Sequence, residues 1–448
     1  MAIFSKPARI TYTCYELGHT WTPSCKKASI DVLLVVFKES LKIYGTLYMI
    51  AVLFQRKGKE YLKSKLWKEV LQSSLFLSTN GMLFITFFCV WRKLLGCHFY
   101  LTTFFIPAVM ASFVALLLER RSRRSMLAFY MANVALETAF RMLVFRGIIT
   151  PVKHGAVWLF SFVSAIYLCL FRNNSLPAAS VSAFKFLVGP DELPSTTLVE
   201  VRSSLPNQGQ VEEHWLWKTQ PIRKIVTWLK RCPKHDLCQH FNGCAFYITQ
   251  GFLRNFSIGY AVQCGIKLLS SARSPRAALT SLVHKQNFYL GAFLGCYSAV
   301  FRGVNCLLRW LRNHDSSLHG LLAGFLAGWS MLWYKSSTVA LYAATKLAER
   351  LYFKGIEAGM LPYIKCADII IYSISTGFVF HTAMMEPHNL RPAYWSFLNR
   401  VTGSRIGTVN RRLLEKLSPS AAKMLPNFWP DYDPRFTNLV RPSIIDDS

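Results

Sequence analysis

The chain has 448 residues, a formal net charge of +29, and a composition that is 52% hydrophobic and 14% aromatic. Its apolar residues come in long blocks, a membrane composition rather than that of two or three soluble domains. The basic residues sit in short clusters beside those blocks, Arg56, Lys57, Lys59, Lys63, Lys65 and Lys68, then Arg120, Arg121, Arg123 and Arg124. They read as topology determinants and contacts to the anionic headgroups of a lipid bilayer, with no nucleic acid partner.

Residues 1–30 form a polar N-terminal segment carrying Cys14, His19 and Cys25. It lacks the apolar core of a secretory signal, so insertion is expected to depend on internal spans. Residues 32–54 are apolar but interrupted by Lys38, Glu39 and Lys42, which makes them a weak span or an amphipathic helix at the interface. Residues 71–91 and 94–118 are uncharged, each long enough as a helix to cross a hydrocarbon core of about 30 Å. An ERRSRR turn, a marginal span over 125–145 and a fifth run over 155–171 complete a first membrane repeat, 31–171. Residues 172–249 are a polar linker, read as partly disordered and partly interfacial, ending in a segment with Cys232, His235, Cys238, His240 and Cys244. A second membrane repeat follows over 250–386, then a basic, aromatic tail over 387–448 suited to a headgroup-level helix.

The two repeats align at an offset of about 212 positions. Ala111 then meets Ala323, Ser125 meets Ser337, Tyr130 meets Tyr342, Glu137 meets Glu349, and Ser161 meets Ser373. At a slightly different offset Gly81, Val90 and Arg92 meet Gly291, Val300 and Arg302. The expected fold is an all-α polytopic membrane protein, an internally duplicated helical bundle of about 8–10 hydrophobic segments. Duplication of this kind builds transporters and channels, and also plain structural bundles.

Three sets of residues stand out. Gly320, Gly324 and Gly328 recur every fourth position, as do Gly291 and Gly295; such glycines let helix backbones approach closely, as architecture or as a pore or moving interface. Glu137 and Glu349 are charges inside marginal spans, with Arg141 one turn on in the first copy and Lys346 and Arg350 flanking in the second. One reading is a local ion pair that lets each helix insert; the other is a polar path with the glutamates facing each other across the repeat axis. The Cys/His segments precede both repeats. Their donors suit zinc, although neither has the paired C-x2-C spacing of a well-known finger; disulfides and plain thiols remain alternatives, as does the absence of any cofactor. Cys89, Cys97, Cys169, Cys264, Cys296 and Cys306 lie in or beside apolar segments and read as small hydrophobes. The sequence holds no acyltransferase H-x4-D, G-x-S-x-G elbow, P-loop or H-E-x-x-H, so the expectation is a non-enzyme.

The segments CYELGHTWTPSC, ERRSRRSMLAFYMANVALETAFRM, LAGFLAGWSMLWYKSSTVALY, YFKGIEAG and DIIIYSISTG resemble the transmembrane protein 135 family over nearly the full length. Through its glycine-rich spans that family is distantly similar to the mitochondrial inner-membrane translocase channel subunits. The resemblance implies a protein of mitochondrial and peroxisomal membranes that regulates fission and fusion balance, peroxisome organisation or lipid homeostasis. Two further expectations are a transporter or channel with a path between the repeats, and a scaffold that recruits the mitochondrial fission machinery.

Overall fold

The computed structural model describes residues 8–55, 65–193, 220–270 and 284–441. Arg56, Lys57, Lys59 and Lys63 of the first basic cluster, and the 194–219 part of the polar linker, lie outside the described residues.

The chain is helical almost throughout: α1 (Cys25–Gln55), α2 (Leu66–Leu95), α3 (Tyr100–Leu118), α4 (Arg121–Phe145), α5 (Gly155–Arg172), α6 (Ala178–Val188), α7 (Gln220–Arg231), α8 (Cys244–Ser270), α9 (Gln286–Arg312), α10 (His319–Gly328), α11 (Ser337–Glu357), α12 (Ala367–Met385) and α13 (Pro392–Val401). Among the described residues the strands are one short antiparallel pair, Arg9–Ile10 with His98–Phe99. Six helices, α2, α3, α4, α5, α9 and α12, are long and apolar enough to cross a membrane. The chain is an all-α polytopic membrane protein. α1 and α8, which open the two repeats, fall outside that set, and the charges Lys38, Glu39 and Lys42 on α1 give the reason.

The helices fall into two compact units, residues 1–150 with 363–448, and residues 151–362. In the first, α1 and α2 form an antiparallel hairpin, as the Tyr48–Ser73 contact at one end and the Thr86–Ser29 contact at the other show. α12 packs there against α3 and α4. In the second, α8 and α9 form the equivalent hairpin, Gly259 meeting Gly291 and Phe252 meeting Gly295, and α5 packs against α10 and α11. Each unit thus takes its fifth long helix from the other sequence repeat.

Both interiors bury small and polar side chains alongside aromatic ones such as Phe76, Phe88, Phe171 and Phe301, while many large apolar side chains point outward. In the first unit Ser73, Ser74, Ser78, Asn80, Ser112 and Thr376 are buried, and Leu75, Phe113, Leu117, Phe140, Ile371 and Ile374 are exposed. This is the arrangement lipid favours: hydrocarbon outside cannot drive helices together, so close backbone packing and hydrogen bonds such as Ser112 Oγ to Asn80 Oδ1 (3.4 Å) must. The glycine runs serve that packing. A methyl on Gly320 would meet the Leu168 carbonyl at 2.8 Å and one on Gly324 the Ser164 carbonyl at 2.6 Å, while Gly328 sits on Ser161. All three therefore face α5. In the first unit the close approach comes from the opposite partner, Gly377 of α12 against Val109 and Phe105 of α3.

The C-terminal residues complete the first unit. α13 buries Tyr394, Leu398 and Val401, and Arg411 donates to the Ala383, Met384 and Ile406 carbonyls. The tail then reaches the N-terminal segment: Asn410 N–H donates to Leu17 O (3.1 Å), Thr20 Oγ1 to Thr408 O (2.9 Å) and Thr437 Oγ1 to Glu16 (2.6 Å).

Candidate metal centres and a cavity in the second unit

Among the described residues two groups of four side chains of metal-ligating type assemble, one per unit: Cys14, His19, Cys25 and Cys89, and Cys238, His240, Cys244 and Cys306. Within each group the donor atoms all lie within 4.8 Å of one another. The local structure explains the gathering. Thr13 caps the one-turn helix Cys14–Leu17 in a capping box with Glu16, which fixes Cys14, and the chain turns back through His19 to begin α1 at Cys25. On the second side Cys238 and His240 lie in an irregular segment that leads into α8 at Cys244.

The fourth donor comes from the following helix of the hairpin. α2 ends at Leu95 and α9 at Arg312, and Cys89 and Cys306 each lie six residues before those ends. Antiparallel pairing sets that level against the first residue of α1 or α8, where Cys25 and Cys244 stand. Arg92 of α2 pins the first segment, donating to the Tyr12 and Thr11 carbonyls at 2.8 and 2.6 Å, whereas Arg302 of α9 donates to the carbonyls of Val188 at the end of α6 and Tyr247 in α8, at 2.9 and 3.0 Å.

Both histidines are oriented alike. His19 Nδ1 donates to Thr22 O (2.8 Å) and His240 Nδ1 to Asn242 O (2.5 Å); a carbonyl can only accept, so Nε2 is the atom left for a metal. His19 Nε2 is buried with no hydrogen-bond partner. The twelve cysteines are free thiols. The hydrogen bond with Cys89 first, then nearby His19 and Arg92, outweighs burial and brings the Cys14 thiol down to about 5. At Cys238 the hydrogen bond with Cys306 first, then His240 and the Arg309 charge, brings the thiol down to about 3. Thiolates are the form that binds metal. These clusters could hold a metal ion.

Cys232 and His235 stand apart from the second cluster. Cys232 Sγ is against the Trp228 carbonyl and His235 packs edge-on to Trp310 at 5.2 Å. The donors that sequence reading passed over, Cys89 and Cys306, sit in apolar helices as ordinary buried thiols do, and they stand at unlike positions relative to the aligned arginines, three residues before Arg92 and four after Arg302, so spacing gave no shared signal.

The glutamates are paired within their own units. Glu137, buried, bonds Arg141 at 2.8 Å and faces Arg391 at 3.6 Å. Glu349 bonds Lys346 at 2.7 Å. Arg350 turns instead to the Ser175 carbonyl, at 2.9 Å, and to Glu357 at 3.3 Å. Lys346, Glu349 and Arg350 help line a cavity of about 810 Å³ in the second unit, whose other walls are mainly apolar and aromatic, among them Phe160, Tyr167, Phe184, Phe293 and Tyr297. A second group of charges, unforeseen from sequence, lies at the end of α9. Arg309 is buried between Glu192 (2.9 Å) and Asp315 (3.1 Å), and Arg172 bonds Asp315 and Asn305. Burial alone would raise the Asp315 carboxyl, but Arg172 and Arg309 hold it below its usual value.

Residues 11–144 match the family profile described as the N-terminal cysteine-rich region of Transmembrane protein 135. No solved structure matches the chain.

Proposed function

We propose that this chain, which by its cysteine-rich N-terminal region belongs to the transmembrane protein 135 family, acts in mitochondrial and peroxisomal membranes on lipid homeostasis, and through it on fission and fusion balance and peroxisome organisation. It does so without catalysing a reaction, and the metal its Cys/His clusters take is zinc, the ion that three thiolates and an imidazole suit. One observation carries the lipid reading. The second unit holds a cavity of about 810 Å³ with aromatic walls and the charged residues Lys346, Glu349 and Arg350 in its lining. That size is within the usual range for small-molecule pockets, and apolar walls with a few fixed polar groups suit an amphiphile.

The test is complementation. Cells lacking the protein receive the wild-type chain or the double variant Lys346→Ala/Glu349→Gln, and organelle lipid composition and mitochondrial length are scored. The double variant is expected to reach its membranes yet fail to restore lipid composition. Full restoration of both readouts would reject the cavity as the functional site. The same ionisable residues favour a transporter as the second reading, and flux of an amphiphile into proteoliposomes that depends on Glu349 would select it.

A further inference from the structure

We infer that each Cys/His cluster is a tetrahedral Cys3His zinc site whose closing ligand is a thiolate of the second hairpin helix, Cys89 of α2 and Cys306 of α9, so that the metal clips the preceding polar segment to the base of the hairpin. This rests on zinc as the ion and goes further by assigning the donor sets, their number and their role.

The geometry of the second cluster carries the assignment. Zinc–sulfur bonds of about 2.3 Å and zinc–nitrogen bonds of about 2.0 Å give tetrahedral edges of about 3.7 Å between sulfurs and about 3.5 Å between sulfur and nitrogen. Cys238 Sγ lies 3.9 Å from both Cys244 Sγ and Cys306 Sγ, and Cys306 Sγ lies 3.6 Å from His240 Nε2. A disulfide would need sulfurs bonded at about 2.05 Å. The three separations lie close to those edges, and none of the three sulfurs is in a disulfide.

The histidines give an independent line. A ligating imidazole ordinarily donates its other nitrogen to a carbonyl or carboxylate, which fixes the tautomer. Both histidines do so, to Thr22 and Asn242. That leaves His19 Nε2 buried beside the thiols without a hydrogen-bond partner, which is where a ligating nitrogen stands.

Position in the fold gives a third. Two segments with different spacings, eleven residues from Cys14 to Cys25 and six from Cys238 to Cys244, arrive at the same donor set at the same level of equivalent hairpins. Chance burial of thiols would not preserve one imidazole to three sulfurs. Binding replaces three thiol protons by zinc–sulfur bonds, while the imidazole contributes its lone pair without proton exchange. The resulting complex carries one negative charge.

The test uses the full chain, untagged, purified in detergent with a thiol reductant, with zinc measured by plasma mass spectrometry. Two zinc ions per chain are expected. Cys89→Ser or Cys306→Ser should reduce this to one and the double variant to none, while Cys232→Ser and His235→Ala keep both. Should a serine variant fail to fold, Cys89→His and Cys306→His, which retain a donor, should keep the metal. Two zinc ions that persist in a folded Cys89→Ser/Cys306→Ser protein would overturn the ligand assignment and leave zinc itself standing. A metal-free wild-type chain whose cluster cysteines resist alkylation until reduced would overturn both. Neither outcome bears on the cavity, which the complementation assay tests separately.

Discussion

The two Cys/His clusters share a donor set and differ in their surroundings. In the first, Cys25 is exposed and Cys14, Cys25 and Cys89 border an open cavity of about 850 Å³ with Pro23, Lys26 and Arg92. In the second, Cys238 and Cys306 are buried, His240 stacks on Tyr247 at 4.5 Å, and the Arg309–Glu192 pair lies beside them on α9. The first is held by the C-terminal tail of its own unit, through Asn410 and Thr437; the second by a buried ion network. Equivalent hairpin bases thus carry a more accessible cluster in the first unit and an enclosed one in the second.

That contrast breaks most easily at the buried charges. Arg309→Met would leave Glu192 without its cation in a dry site, and a loss of about 3–5 kcal/mol is expected, seen as early proteolysis of the second unit. Asn410→Ala keeps the backbone bond to Leu17 but removes the buried side-chain amide that donates to Tyr432 Oη at 2.8 Å, the hydroxyl that in turn donates to the Glu16 carbonyl, and should touch the first unit alone, by about 1–3 kcal/mol. Gly324→Leu would drive a side chain into the Ser164 carbonyl and cost about 1–3 kcal/mol or separate α10 from α5. Cross-linking between introduced cysteines on those helices distinguishes the two outcomes.

Exposure of the first cluster sharpens the comparison. A thiol-directed reagent should release its metal roughly tenfold faster than that of the second, because attack follows access to the sulfur; equal rates in stopped-flow measurements would remove the distinction. The smallest effect concerns acid. Asp315 titrates below its unfolded value near 3.9, so its pairing adds stability above that pH and loses it as pH falls through the folded value. Asp315→Asn should flatten the second unit's unfolding midpoint below about pH 4.

Much of this was legible in the chain. Uncharged runs announced the spans, and the weak span over 32–54 became α1, outside the set apolar enough to cross. Glycines every fourth residue announced a contact face, since nothing else in lipid lets backbones meet so closely. Cys89 and Cys306 were not legible as donors because a thiol in an apolar helix has the same local sequence whether or not a second segment folds over it. Nor was the pairing of α5 with α10 and of α12 with α3. Ser161 and Ser373 stand at equivalent positions on small-residue faces, and tertiary packing alone selects the partner. The Arg309 network was hidden for a similar reason: Glu192 and Asp315 come from polar segments that read as surface until Arg309 of α9 pairs with both, with Glu192 buried and Asp315 half-buried.

The most direct test of the account is X-ray absorption at the zinc edge on the purified full chain. Three sulfurs at about 2.3 Å and one nitrogen at about 2.0 Å per zinc, averaged over two ions, is the predicted shell. A shell of oxygen and nitrogen alone, or of four sulfurs, would contradict it.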